Sequence, residues 1–102
     1  NEHKAYLELL AKTKSKSQRS ALIRTIYPGQ LKALMELILN VLAGNVIISR
    51  KERMDLLKFR ATLEFMADTD IPNKQKIQRL LKKSKGIVVL LNIALMKALA
   101  LL

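Results

Sequence analysis

The chain has 102 residues, 19 lysines and arginines against 8 acids, a formal net charge of +11 and a pI near 10.3. Half of it is apolar, which excludes disorder throughout, and its length limits it to a single domain with one modest core. It contains no cysteine, so disulfides, thiolate metal sites and a thiol nucleophile are excluded, while a field of this sign concentrates polyanions such as nucleic acid or an anionic membrane.

Apolar residues recur at helical spacing nearly everywhere. The first predicted helix covers about Glu2 to Lys12, with Tyr6, Leu9 and Leu10 at i, i+3 and i+4 and Leu7 beside them. Nothing at this end resembles a signal peptide, because Glu2, His3 and Lys4 precede only a short amphipathic stretch. Residues 12–19 then form a polar, basic linker. Ser17 is placed to cap a second helix over about Gln18 to Ile26, whose inner face is Leu22, Ile23 and Ile26. Tyr27-Pro28-Gly29 interrupts it, since proline cannot donate an amide hydrogen but fits the first turn of the next helix.

The third helix runs about Pro28 to Ala43. Leu31, Leu34, Met35, Ile38 and Leu42 form its main stripe, and Leu37, Leu39 and Val41 widen that stripe until little polar face remains. Such a helix belongs at the centre of a bundle or at a subunit interface. Gly44 supplies the left-handed residue that ends it. Val46-Ile47-Ile48 is a short β-prone connector, too short for a sheet of its own. Ser49-Arg-Lys-Glu52 is a capping box and opens a fourth helix to Ala67, lined by Leu56, Phe59, Leu63 and Met66. Residues 68–72 form a turn. A fifth helix, Asn73 to Ser84, turns Ile77, Leu80 and Leu81 inward, and the i, i+3, i+7 spacing of Lys76, Arg79 and Lys83 assigns them one outer face. Gly86 is expected to end this helix.

A sixth helix is predicted from Ile87 to Leu102, interrupted only by Asn92 and Lys97, with an extended start at Ile87-Val-Val89 as the alternative. As helix it reaches roughly 24 Å, short of the roughly 30 Å hydrocarbon core of a bilayer, which favours a buried core helix over a membrane contact. The fold class is therefore all-α: a compact bundle of five or six short helices in one domain, residues 1–102. The surplus apolar surface of the third helix and the tail leaves room for a homo-oligomer, a dimer in the simplest case.

Catalysis is not expected. The single histidine, His3, lies near the terminus, and no pair of carboxylates is spaced as general acid and base. Asp68 and Asp70 suit a turn better than a metal, and three glycines make no phosphate-binding loop, so neither metal nor cofactor is implied. The basic clusters are the candidate binding residues. They are Lys74, Lys76, Arg79, Lys82, Lys83 and Lys85 on the fifth helix; Arg50, Lys51 and Arg53 at the start of the fourth; and Lys12, Lys14, Lys16 and Arg19 in the first linker. Each can neutralise a phosphate and release a counterion. An ordinary solubilising surface would mix the signs, whereas these stretches, the last above all, are short of acids. Lysines outnumber arginines 13 to 6, and aromatic stacking faces are few, which favours duplex DNA, or another polyanion held by its backbone, over sequence reading or single strands. A helical protein-interaction or assembly module is the alternative, followed by a membrane-active protein working through residues 87–102.

Residues 18–23 (Gln-Arg-Ser-Ala-Leu-Ile), 37–46, the basic 74–83 segment and the apolar tail led by Gly86 occur in an order that resembles short basic proteins encoded by adenovirus-like mobile elements of invertebrates, the Polinton and adintovirus group. The resemblance implies a small virion- or element-encoded protein that condenses DNA or acts on membranes; separately, an intracellular setting, nuclear or virion-associated, is expected. It also leads one to expect a second glycine beside Gly86, where this chain has Ile87.

Overall fold

The computed structural model describes residues 3–99, with side chains through residue 93. Those residues form helices α1 (Lys4–Lys12), α2 (Lys16–Arg24), α3 (Pro28–Leu42), α4 (Arg50–Leu57), α5 (Arg60–Ala67), α6 (Asn73–Lys82) and α7 (Lys85–Leu99), with no strand among them. The expected ends at Glu2 and Leu102 lie outside the described residues.

The apolar periodicity dictates the arrangement. Leu31, Ala33, Leu34, Leu37, Ile38 and Val41 bury one side of α3 against α1, α5 and α7, while Lys32, Glu36, Leu39 and Leu42 on the other side face solvent. Leu42, placed on the inner stripe by spacing, is exposed instead, because Leu37 and Val41 turn inward. The most extensive helix pair is α1 with α7, where Leu7 and Leu10 join the same core as Ile87, Leu90 and Leu91. The start of the apolar tail is thus a buried core helix, and it is helical from Lys85 on, not extended at Ile87. Asn92 ties the pair together by donating from Nδ2 to the Ala11 carbonyl (3.3 Å) and to the Val88 carbonyl (3.0 Å). No described helix is long and apolar enough to cross a membrane.

Local signals fix several boundaries. The Ser49 hydroxyl accepts from the Glu52 amide (3.1 Å), and Glu52 Oε1 accepts from the Ser49 amide (2.8 Å), which closes the capping box and stabilises the start of α4 by about 1 kcal/mol. Gly44 takes φ +78°, the left-handed residue beyond α3. Ser15, not Ser17, caps α2: its backbone is extended, and its hydroxyl accepts from the Gln18 amide, so the helix starts at Lys16 and the basic linker is shorter than expected.

The predicted fourth helix is broken at Lys58-Phe59, where Phe59 leaves helical geometry (φ −114°, ψ 14°), giving α4 and α5. Gly86 does not stop a helix; it lies inside the first turn of α7. A Cβ built there would fall 2.8 Å from the Phe59 Cβ and 2.9 Å from its Cγ. Glycine is required at that point because the ring root of Phe59 rests against the α7 backbone. The break at Phe59 brings the count among the described residues to seven helices.

Candidate nucleic-acid interface

The basic residues do not share one surface. Lys76 is the clearest correction: it is 1 % exposed, among the most buried large side chains, and its Nζ donates to Met35 Sδ (3.0 Å). It lies one turn before Leu80 on the inner stripe of α6, so it does not share an outer face with Arg79 and Lys83. Arg79 is half-buried, its guanidinium 4.1 Å from the centroid of the Phe65 ring, a cation–π contact that secures α6 to α5. Lys74 is exposed at the opposite end of α6, on the order of 12 Å along the axis from Lys82 and beside the acidic turn of residues 68–70.

What the fold does bring together is the first linker and the junction of α6 with α7. Arg19 makes the join. Its Nε donates to Ser84 Oγ (3.2 Å), and its Nη1 donates to the carbonyls of Lys14 (2.8 Å) and Thr13 (3.3 Å). The half-buried guanidinium therefore fixes the linker conformation and ties it to a buried serine 65 residues away, leaving Nη2 without a partner among the described residues. Lys12, Lys14 and Arg19 line a shallow cavity of about 490 Å³ with Val88 and Asn92 of α7. Lys82, Lys83 and Lys85 flank Ser84 in sequence, and all three are exposed, as are Lys12, Lys14 and Lys16.

The electrostatics of this patch follow from the sequence. No acid occurs between Glu8 and Glu36 or after Asp70, so both contributing segments are free of carboxylates. Among the described residues none of these six lysines makes a salt bridge; the ion pairs there join Lys4 with Glu8 and Arg60 with Glu64. Two acid-free segments from opposite ends of the chain thus converge, and their repulsion is offset by solvent, by the Arg19 and Asn92 hydrogen bonds and by the packing of α1 on α7 and of α2 on α6. The Arg50, Lys51 and Arg53 cluster stands apart on α4, where Arg53 lines a different, apolar groove.

Convergence was beyond the sequence, but the ingredients were visible in it: the linker, the acid gaps and Ser84 between lysines. Ser84, buried in the α6–α7 junction, and Asn92, exposed on α7, are the residues that sequence reasoning missed as organisers, and the lone polar residue in an apolar run was the signal for Asn92. Among the described residues no group of three or more His, Asp or Glu could hold a metal. His3 packs over the first turn of α3, where a Cβ on Gly29 would lie 2.9 Å from its Nε2. Asp68 and Asp70 form the turn expected of them, the Asp70 amide donating to Asp68 Oδ1 (2.9 Å). The chain matches no known family model, no curated protein and no solved structure.

Proposed function

We propose that this protein is a basic helical module that binds nucleic acid, duplex DNA foremost, through its phosphate backbone and without sequence specificity, in a packaging or architectural role. The observation that carries the reading is the acid-free patch built by Lys12, Lys14, Lys16, Lys82, Lys83 and Lys85 around the Arg19–Ser84 hydrogen bond. Compact ammonium groups on flexible stems suit a regular array of phosphates and read no bases. A virion- or element-associated setting, as the resemblance to the adenovirus-like elements implies, accords with that role. Catalysis forms no part of this proposal.

The test is a fluorescence-anisotropy titration with duplex DNA, duplex RNA and heparin over a salt series. Full engagement of the six lysines gives a slope of log K on log salt of about −5 with duplex DNA, and each reversal lowers it by about 1. The Lys14→Glu/Lys83→Glu variant should lose most of its affinity, and Lys74→Glu little. Equal losses from both variants, or tighter binding of heparin than of DNA at every salt concentration, would reduce the patch to a diffuse charge effect.

A further inference from the structure

A second surface lies where α3 ends and α4 and α5 begin. The 43–49 connection and these helices enclose an open groove of about 700 Å³. Its floor is core: Val41, Val46, Leu56 and Leu63 are buried. Its walls are apolar yet lie in water, with Ile47 89 %, Leu57 55 % and Leu42 41 % exposed. Met54, 58 % exposed on the adjoining α4, continues the apolar surface beyond the groove. Clustered exposure of this kind on a small domain marks a docking surface.

The rim identifies the partner. Arg60 is engaged by Glu64 one turn along α5, but Arg53 has no acidic partner among the described residues. Arg50 and Lys51 stand exposed at the N-terminal end of the same helix. The fitting occupant is apolar in the middle and anionic at its edge. A small ligand would leave Met54 and much of Ile47 in water, and a nucleic acid offers no apolar stripe. A second copy would set one +11 chain against another. We infer that this groove receives an amphipathic α-helix of another protein, whose apolar stripe packs on Ile47, Leu57 and Leu42 and whose flanking carboxylates pair with Arg53. The inference does not rest on the phosphate patch.

The probe is a fluorescein-labelled helical peptide of about 18 residues, with leucines at i, i+3, i+4 and i+7 and glutamates beside them. Controls carry lysine for glutamate, or the same composition in scrambled order. The full chain should bind the acidic amphipathic peptide in preference to both controls. Ile47→Asp, a change at a solvent-facing site that leaves the circular dichroism and melting temperature intact, should weaken binding by about tenfold or more. Arg53→Glu should weaken the acidic peptide and strengthen the lysine peptide, while Lys14→Glu/Lys83→Glu changes neither. Equal binding of the scrambled peptide, or unchanged affinity in Ile47→Asp, would overturn the proposal. A wild-type dimer in sedimentation that Ile47→Asp dissociates would also overturn it, assigning the groove to self-association.

Discussion

Lys76→Met separates the folded arrangement from the linear pattern of charge. The Lys76 ammonium has three donors, and Met35 Sδ, a weak acceptor 3.0 Å away, is its single hydrogen-bond partner among the described residues. At 1 % exposure, the side chain gives up hydration worth several kcal/mol, and a thioether returns little of it. Methionine matches the lysine stem in length and volume and removes the charge. Exchanging a buried ion for a well-packed apolar isostere gains up to about 4 kcal/mol, and with no carboxylate partner to lose we expect about 2. In a domain of this size that raises the melting temperature by roughly 8–16 °C. Lys76→Ala removes the same charge but opens a cavity, and should fall about 2–3 kcal/mol below the methionine variant. Urea and thermal unfolding followed by circular dichroism measure both. The same proteins titrated with duplex DNA should show the wild-type affinity and salt slope for Lys76→Met. A methionine variant that is less stable than wild type, or that loses DNA affinity as a Lys83 reversal does, would refute the reasoning.

Gly86→Ala trades a helix-propensity gain of up to about 1 kcal/mol for a collision with the Cβ and Cγ of Phe59, atoms too close to the backbone to swing aside. A net loss of about 1–2 kcal/mol in urea unfolding is expected, and Gly86→Ala/Phe59→Ala should lose less than the sum of the two single changes. Tyr6 carries a pH prediction. Its hydroxyl donates to the Leu22 carbonyl (3.0 Å), and burial raises the phenol from 10.0 to about 12. Because the folded value lies above the unfolded one, its contribution is complete below pH 10 and is lost as pH rises through about 12. Tyr6→Phe should cost about 1 kcal/mol near neutrality, and the stability difference from wild type should shrink across that alkaline window.

Helix positions were legible because the apolar spacing is helical and the punctuation is local: Pro28 and Gly44 bracket α3, and Ser49 with Glu52 opens α4. The break at Phe59 was not legible, since residues 50–67 carry an unbroken apolar period with neither glycine nor proline. At the break Phe59 rests against Gly86, a tertiary neighbour that, read alone between a polar and an apolar run, looks like a helix stop. Lys76 was misplaced for a related reason. Positions 76, 77, 80 and 81 form one helical stripe on which Lys76 and Leu80 are buried, and Ser84, also buried, lies just beyond the end of α6. The geometry was present in the spacing, but the charge argued for solvent, and only the packing of α6 against its neighbours decided between them. Of the candidate site, the charge inventory was readable and the pairing of linker with α6–α7 junction was not, because Arg19 and Ser84 are 65 residues apart.

The three residues Ser84, Lys85 and Gly86 explain why the basic patch and the apolar groove occur in one small protein. Ser84 receives Arg19 and so holds the first linker against the lysines of the α6–α7 junction. Gly86, half a turn on, lies against Phe59 at the bend between α4 and α5, the two helices that line the groove. Lys85 between them faces solvent. The start of α7 is therefore a shared foundation, while the chemistry differs: one surface is an array of exposed ammonium groups without acidic partners among the described residues, the other an apolar trough rimmed by Arg53. Under the proposed functions, salt should weaken binding at the first steeply and leave most of the binding at the second intact. Charge reversal at Lys14 and Lys83 acts on one alone and Ile47→Asp on the other. A change in the packing of Gly86 on Phe59 reaches the groove directly and the patch through the adjoining Ser84, which distinguishes a fault in the scaffold from a fault in either surface.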